Sequence, residues 1–419
     1  MVGYSREELA ARRRRRRRRR RVRLAAVLVV ASAAVAVAAA LLRDGPQAAP
    51  ARAEPETPVP ATAVAETATQ EDPAPAAPER PPPNRVVRIA AVGDIAMGRA
   101  PVLPADGGAS LFAGVRGELD GDVVLGNLEQ ALADGGVSKC RPPPKTPKRK
   151  GKEKQQKEAA PVACFAFRTP PAYAVNLRRA GFTVLSLANN HSYDFGRAGL
   201  DSTVAALREE RLRTTGRPDE IARLRPKRVR VAVLGFAPYA TAQSMLDLPA
   251  ARRLVRQAGR RADIVVVTMH AGTEGAGASR TPRGPESYLG EPRGDSRAFA
   301  RAVVDAGADL VVGHGPHVLR GLEWYRGRLV AYSLGNFAGY RTFNISGEAA
   351  VSAILRVDLH GDGTWRSGRL VPLRLDATGT PAVDRAGEAL ALVRRLSRED
   401  FGRRGVAVAR DGELTPPRR

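Results

Sequence analysis

Histidine is scarce in this sequence, and four of its five residues follow short apolar runs. These four are His191, His270, His314 and His317, whereas His360 lies elsewhere. A single histidine after a strand is usually a structural residue, but four in equivalent positions favour a shared role. Because neutral imidazole is the side chain that most often binds divalent transition metals, these residues predict a metal site.

Oxygen ligands for such a site lie at the ends of the same kind of run. They are Asp94, Asn127, Glu129 and Asn190. Together with the histidines they are enough for two divalent ions of the Mn, Fe or Zn class. Two such ions activate a water molecule and neutralise a phosphate or carbonyl oxygen in the transition state. The predicted chemistry is therefore metal-dependent hydrolysis.

Short apolar runs alternate with longer amphipathic segments from residue 85 onward, and this alternation predicts how the ligands are positioned. The apolar runs are residues 88–92, 123–125, 182–188, 264–269, 310–312 and 329–334. Runs of this length bounded by Gly indicate buried strands, and residues 199–212 and 296–306 have helical spacing. The predicted fold class is α/β, with polar groups at the carboxyl ends of strands, where such folds bind ligands.

Other hydrolytic and nucleotide chemistries lack their anchor residues. The sequence has no G-x-S-x-G elbow and no G-x-x-x-x-G-K-[ST] phosphate loop. A paired-carboxylate glycosidase could use Asp94 and Glu129, but it leaves the four histidines unexplained. An aromatic content of 5% argues against stacking of single-stranded nucleic acid, and no nucleic-acid partner is predicted.

The net charge of +25 is concentrated in two segments of the chain. Residues 1–43 contain thirteen Arg and two Glu, and residues 139–158 contain nine Lys or Arg and two Glu. Ten consecutive Arg, residues 12–21, precede nineteen uncharged and mostly apolar residues, 24–42. That length is close to a membrane span, and the Arg block favours the cytoplasmic side.

We therefore predict a single-pass protein of the cell membrane whose C-terminal domain is extracellular. An uncleaved signal anchor is favoured over a signal peptide cleaved after the small residues 38–40, and over a nucleic-acid-binding arm. The predicted domains are a cytoplasmic Arg-rich segment (1–23), a transmembrane signal anchor (24–42), a disordered Pro/Ala-rich linker (43–84), a folded domain (85–376) with a basic insert (139–161), and a C-terminal tail (377–419).

The only two cysteines, Cys140 and Cys164, bracket the second basic segment. Outside the membrane disulfides persist, so a bond that closes a surface loop at its base is favoured over two free buried thiols. The same compartment makes a cysteine nucleophile unfavourable.

Six short motifs, taken in order, resemble the CapA family of capsule-synthesis proteins, which are associated with poly-gamma-glutamate and related to calcineurin-like metallophosphoesterases. The resemblance covers about residues 87–375. The motifs are Gly93-Asp94-x-x-Met97-Gly98-Arg99, Asn127-Leu128-Glu129, Ala188-Asn189-Asn190-His191-x-x-Asp194-x-Gly196, His270-x-Gly272-x-Glu274, Gly313-His314-x-Pro316-His317-Val318 and Ser333-Leu334-Gly335-Asn336-Phe337.

The resemblance implies a four-layer αββα sandwich of two mixed sheets, with the metal site at one edge. It implies that His191 contacts the substrate and protonates the leaving group, and that Asp194 orients this imidazole. The metal ligands that follow from it and from the residue types are Asp94, Asn127, Glu129, Asn190, His270, His314 and His317. The motif residues predicted to contact substrate are Arg99, Glu274 and Asn336.

Several positions depart from the family patterns. Ala96 stands where the phosphoesterases have a His, and Asn127 and Glu129 stand in place of a G-D-x-x-D block. These changes are expected to weaken one metal position. Gly315, Ala271 and Gly275 replace larger residues that are usual in the CapA motifs, which predicts a more open pocket.

The function implied by the resemblance is synthesis, export or attachment of an anionic surface polymer such as poly-gamma-glutamate, through a metal-dependent hydrolase-like site. The basic insert between the cysteines would gather the polymer, unless it is only a solvated loop. The alternatives are a non-catalytic scaffold of a membrane synthase complex and a cell-wall phosphodiesterase.

Overall fold

The computed structural model describes residues 84–140 and 164–417. Its strands are β1 (Val86–Ala96), β2 (Val123–Leu128), β3 (Ala131–Leu132), β4 (Arg168–Thr169), β5 (Val184–Ser186), β6 (Arg213–Thr215), β7 (Ala222–Leu224), β8 (Val231–Phe236), β9 (Ile264–His270), β10 (Glu286–Tyr288), β11 (Glu291–Gly294), β12 (Leu310–His314), β13 (Leu322–Tyr325), β14 (Arg328–Ala331), β15 (Asn336–Gly339), β16 (Val351–His360), β17 (Trp365–Leu375), β18 (Pro381–Val383), β19 (Ala407–Val408) and β20 (Leu414–Thr415). Its α-helices are α1 (Ala174–Ala180), α2 (Gly196–Glu209), α3 (Leu248–Gly259), α4 (Ser296–Asp305) and α5 (Glu388–Phe401).

The first large sheet has eight strands and is centred on β1. Its order is β18-β17-β16-β1-β2-β5-β6, and β15 also pairs with β1. Strands β1, β2, β5 and β6 run parallel, whereas β16, β17 and β18 are antiparallel to their neighbours. Most of β1 is buried, which explains its nearly continuous apolar sequence.

The second large sheet has six strands, in the order β13-β14-β12-β9-β8-β7. Strands β8, β9, β12 and β14 are parallel, and antiparallel β7 and β13 form the two edges. Every residue of β8, β9 and β12 is buried. Both sheets are therefore mixed, and the carboxyl ends of their parallel strands carry the polar motifs.

Alternate residues of each sheet face two different cores, and this produces four layers. Val87, Leu125 and Val266 belong to the core between the two sheets. On the outer face of the first sheet α1 and α2 cover a second core, and on the outer face of the second sheet α3 and α4 cover a third. The packing is thus helix, sheet, sheet, helix.

Each predicted strand and helix has a counterpart, although α2 begins and ends three residues before the predicted 199–212. Residues 264–269 and 310–312 lie in β9 and β12, and residues 296–306 correspond to α4 with a one-residue difference. The run at 182–188 forms only the three residues of β5. Beyond it, the Ala188 amide bonds to the Ser186 hydroxyl over 3.4 Å, a local side-chain-to-backbone bond.

Residues 377–417, which the sequence separates as a tail, share the core of the folded domain. Strand β18 extends the first sheet, and Leu390, Val393 and Leu396 of α5 pack in the core between the sheets. The segment therefore contributes to the same buried volume as β1 and β9.

The predicted Arg-rich segment, signal anchor and linker lie outside the described residues, as does most of the basic insert. Within residues 84–140 and 164–417, no helix combines the length and apolar character needed to cross a membrane.

Candidate metal centre

Strand register brings the predicted ligands together at one edge of the sandwich. Asp94 of β1 is paired with Asn127 of β2, and His270 and His314 are paired at the ends of β9 and β12. The Gly315 amide donates to Asp94 Oδ2 over 3.3 Å, so the edges of the two sheets meet. Residues far apart in the chain therefore form one buried cluster.

Asp94, Glu129 and His270 form the part of this cluster that suits a cation best. One potential ligand atom from each lies within 4.8 Å of the others, and all three side chains are buried. Neither oxygen of Glu129 has a hydrogen-bond partner within the described residues, and neither does His270 Nε2. Because unpaired buried carboxylate oxygens are costly, this donor set fits a divalent metal.

His314 and His317 lie beside these three residues. His314 Nδ1 is 3.7 Å from Asp94 Oδ1, and both ring nitrogens of His314 lack a hydrogen-bond partner in the described part of the chain. His317 Nδ1 is 3.1 Å from Asp94 Oδ2, and its Nε2 is 3.6 Å from Glu129 Oε1. His314 can supply a further ligand to an ion held by the carboxylates, and His317 can do so once its imidazole has lost its proton.

Burial and charge act in opposite directions on the pKa values of this cluster. Burial raises the pKa of Glu129 well above its usual value. Burial would also raise the pKa of Asp94, but the hydrogen bond and charge of His317 outweigh it and lower the pKa. Burial would lower the pKa of His317, but the carboxylates of Glu129 and Asp94 raise it to about 10. Burial lowers the pKa of His314 to about 4, which leaves its imidazole neutral and able to bind a metal.

Asn127, a predicted ligand, presents its amide nitrogen to the cluster and not its oxygen. Its Nδ2 donates to Asp94 Oδ1 over 2.8 Å and lies 3.2 Å from His270 Nδ1. Its Oδ1 accepts from Asn189 Nδ2 at 3.0 Å. Because an amide nitrogen with two hydrogens has no lone pair to offer a metal, Asn127 in this arrangement orients Asp94 instead.

Asn189 and Asn190, adjacent in one motif, have different surroundings. Asn189 accepts from the amides of His191 and Ser192 and so shapes the loop after β5. Asn190 Oδ1 is buried and has no hydrogen-bond partner among the described residues. Of the two side chains, Asn190 is therefore the one whose oxygen remains available to a ligand.

His191 and Asp194 form the hydrogen-bonded pair that the motif predicts. His191 Nδ1 is 2.8 Å from Asp194 Oδ2, and Asp194 is fully buried. Asp194 Oδ2 also accepts from the Phe167 amide, and the Phe167 ring lies 4.4 Å from the imidazole, centroid to centroid. Burial lowers the pKa of His191 despite the neighbouring carboxylate. The pair can hold a proton at a fixed position beside the cluster.

Lys139 is a site residue that sequence reasoning did not single out. Its Nζ lies 2.6 Å from Asp194 Oδ1 and donates to the Asn190 carbonyl over 3.0 Å. From composition alone, Lys139 belongs to the basic insert and is predicted to be one more solvated charge. Its position directly before Cys140 was the available signal, because a bonded cysteine restrains its neighbour.

The disulfide between Cys140 and Cys164 is present, with a Cα–Cα distance of 5.5 Å. It joins the two ends of the basic insert. Lys139, before the first cysteine, and Phe167, after the second, therefore both approach His191 and Asp194. The basic residues between the cysteines lie outside the described residues.

The three predicted substrate contacts have different fates. Arg99 is exposed and makes no side-chain hydrogen bond or ion pair with the cluster. Glu274 Oε2 is 3.9 Å from His317 Nε2, at the cluster's border. Asn336 is fully buried, its Oδ1 meets His317 Nδ1 at 3.0 Å, and its Nδ2 faces three backbone carbonyls, so its contacts in the structure are with the protein.

Arg293 is a second residue that the motifs missed. Its side chain is 3% exposed, and its Nη1 lies 2.5 Å from Glu274 Oε1. The guanidinium also lies near the rings of Tyr239 and Tyr288. It brings a positive charge to the border of a cluster rich in carboxylates. No motif marked it, because it belongs to β11 of a separate hairpin.

Fold and site together define a class: a two-sheet α/β sandwich with a buried carboxylate and histidine cluster at the ends of its parallel strands. Residues 88–340 match the family model described as "Bacterial capsule synthesis protein PGA_cap". This match covers more than half of the chain, and the chain belongs to the CapA family of bacterial capsule-synthesis proteins.

Two curated relatives illustrate the similarity. The chain is 30% identical over 257 residues to "PGA biosynthesis protein CapA" of Bacillus subtilis (strain 168), covering 57% of this chain and 62% of that protein. It is 32% identical over 243 residues to "Capsule biosynthesis protein CapA" of Bacillus anthracis, covering 53% and 55%. The matched region thus spans less than two thirds of either relative.

Among solved structures, the chain is similar to a 5'-nucleotidase precursor from Thermus thermophilus. The sequence identity is 12% and the TM-score 0.38, and the match covers 74% of this chain and 59% of that one.

Proposed function

We propose that this chain is a membrane-anchored, extracytoplasmic capsule-synthesis protein that acts on an anionic surface polymer, such as poly-gamma-glutamate, through a metal-dependent hydrolase-like site. The observation that carries the proposal is the buried group of Asp94, Glu129 and His270 beside the His191–Asp194 pair. The family membership and the names of the relatives support the polymer. The Arg block and the apolar residues 24–42 support the anchor.

Asp94, Glu129 and His270, with His314 or His317, would hold the metal. When bound, a divalent ion lowers the pKa of a water molecule and neutralises charge on the substrate oxygen that is attacked. The protein's own contribution is positioning. Asn127 orients Asp94, and Asn336 holds the ring of His317.

His191 would deliver the proton to the leaving group. Asp194 fixes the orientation of the imidazole through Nδ1, which leaves Nε2 as the atom that can exchange a proton with a substrate. Because burial lowers the pKa of His191, its Nε2 would first take up a proton from water or from the incoming substrate and then pass it to the leaving group.

A non-catalytic scaffold is the second candidate, and Asn127 is the observation that favours it. An amide at this position removes one negative charge from the cluster and presents hydrogens instead of a ligand oxygen. A chain with one weakened metal position could keep the fold and assist a membrane synthase complex without hydrolysis. The number of bound ions, which the sequence predicts to be two, does not distinguish these candidates. Metal content and hydrolysis are therefore measured separately.

The first test is the metal content of the full-length protein, purified in detergent and measured by elemental mass spectrometry. We expect at least one divalent transition metal per chain, lost in His270→Ala and retained in the control His360→Ala, whose ring lies outside the cluster. Wild-type protein without stoichiometric metal, or unchanged content in His270→Ala, would refute the metal site.

The second readout distinguishes catalysis from scaffolding. His191→Ala is expected to retain metal but to lose hydrolysis of poly-gamma-glutamate, or of a phosphodiester if the wall phosphodiesterase alternative holds. Full capsule production by cells that carry His191→Ala would favour the scaffold.

A further inference from the structure

A groove of about 720 Å³ lies at the edge of the sandwich opposite the metal cluster. The residues that line this groove lie where β5, β6, β8 and β9 begin. The metal cluster lies at the other end, where parallel strands finish. The seven arginines that line the groove are Arg178, Arg211, Arg213, Arg223, Arg225, Arg230 and Arg261. We refer to it as the arginine groove.

The arginine groove combines a charged rim with an apolar floor. Phe182, Leu212 and Val231 are buried and line it, and Leu224 and Ala262 are partly buried. Strands of both large sheets contribute, so the floor is part of the fold's rigid core and not a mobile loop. This lining suits a ligand that carries negative charges with apolar groups between them.

Most of the positive charge in this groove is not neutralised. Arg178 pairs with Glu210, the single carboxylate in the lining, and Arg230 pairs with Asp263 over 2.5 Å. The other five arginines make no ion pair with any described residue. A second surface groove offers a contrast, because its Arg88, Arg356 and Arg369 all pair with carboxylates. The arginine groove differs from this second groove in that most of its positive charge has no carboxylate partner.

We propose that the arginine groove binds a segment of a polycarboxylate chain, at a site separate from the metal cluster. The inference rests on the proposed function for the identity of that polymer. In a chain of γ-linked glutamates, each residue presents one carboxylate and a short run of methylene groups. Guanidinium groups pair with carboxylates in a bidentate geometry, and the methylene groups would cover the apolar floor.

The concave shape favours a polymer strand over a membrane surface. A flat bilayer would meet the rim arginines, such as Arg223 and Arg225, but would not enter the groove between them. A single extended chain can lie within the groove and reach both its rim and its floor.

The position of the groove gives it a distinct role. Strand β9 runs from Ile264, next to the groove, to His270 in the metal cluster, a length of about 20 Å. A polymer held in the groove would stay attached to the protein while another part of it enters or leaves the metal edge.

The test uses the full chain in detergent, with EDTA present, and a short fluorescent oligo-γ-glutamate as probe. The groove variant combines Arg211→Gln, Arg213→Gln, Arg223→Gln and Arg225→Gln. The control combines Arg366→Gln, Arg385→Gln, Arg403→Gln and Arg410→Gln, four exposed arginines without an ion pair in the described residues and outside the groove. Both variants lose the same charge and keep the same N-terminal Arg block.

We expect the groove variant to bind about tenfold more weakly than the control, from four lost charge contacts. In the wild type, the probe should protect the groove arginines from phenylglyoxal while Arg366 and Arg410 stay reactive. This second measurement does not depend on the folding of a variant.

Equal affinity of the two variants, or no protection of the groove, would overturn the proposal. Protection by phosphatidylglycerol vesicles but not by the oligomer would also overturn it, in favour of a lipid surface. Because EDTA removes metal, loss of the proposed metal site would leave this result unchanged, and the two proposals can fail separately.

Discussion

The ion pair of Lys139 and Asp194 shows that the contribution of a lysine charge to stability depends on the burial of its carboxylate partner. Asp194 is fully buried, carries the hydrogen bond to His191 and has Lys139 as its cationic partner. At the opposite edge Lys227 makes contacts of the same kind, 2.6 Å to Asp122 Oδ2 and 3.0 Å to the Val86 carbonyl. The two pairs differ in burial, because Asp122 is 20% exposed and Asp194 is not exposed at all.

Lys139→Met is therefore expected to destabilise the protein by about 2 kcal/mol, because it leaves a buried carboxylate without its cation. Lys227→Met, the matched control, is expected to cost under about 1 kcal/mol, since water can solvate Asp122. Urea denaturation of both variants measures the difference. Equal losses would show that Lys139 does not neutralise Asp194.

At the scale of elements, the metal cluster depends on how closely two strand ends approach each other. Gly93 precedes Asp94 in β1, and a Cβ on it would lie 1.9 Å from the Gly335 carbonyl oxygen. The backbone around Gly335 leads into Asn336 of β15, which is paired with Asp94. The glycine in this motif is thus required by the packing of β1 against the turn before β15.

We expect Gly93→Ala to lower the free energy of unfolding by about 3 kcal/mol, because the strands must separate to admit a methyl group. Metal content should fall with it, since Asp94 moves. Gly117→Ala is the control: its Cβ would meet no atom within 4 Å, and its effect should stay within about 0.5 kcal/mol. A stable Gly93→Ala variant would contradict the close approach in the structure.

At the scale of the whole molecule, the proposed topology links the N-terminal charges to the disulfide. An N-terminus held in the cytoplasm by residues 12–21 would place the folded domain outside, where the Cys140–Cys164 bond could persist. The arginine block and the disulfide do not depend on each other, so each can be tested separately as a check on the proposed membrane topology.

Alkaline phosphatase fused after residue 84 is expected to be active, and the same enzyme fused after residue 11 inactive, because it folds only outside the cytoplasm. In whole cells, Cys140 and Cys164 should resist alkylation until a reductant is added. An inactive fusion after residue 84, or thiols that react without reduction, would place the domain in the cytoplasm and end the proposal of an extracytoplasmic protein.

The strands could be predicted because a strand that is buried on both faces consists of a continuous run of apolar residues. Strands β9 and β12, helix α4 and the histidines at the strand ends all follow from such patterns. The order of the strands does not, since pairing β1 with β16, some 260 residues later, depends on tertiary packing that no local pattern contains. The hydrogen-bond partners of Asn336 were beyond prediction for a related reason, because burial and hydrogen bonding are properties of the folded chain.

The sequence by itself therefore determined the α/β class, the family resemblance and the set of residue types that can bind a metal. Only the tertiary structure decided which of these atoms face one another. It directed the amide nitrogen of Asn127 to Asp94, brought Lys139 to Asp194, and gathered arginines from separate segments of the chain into one groove. The physical reason is that side-chain chemistry is a local property, whereas hydrogen bonding, burial and uncompensated charge arise from residues that only folding brings together.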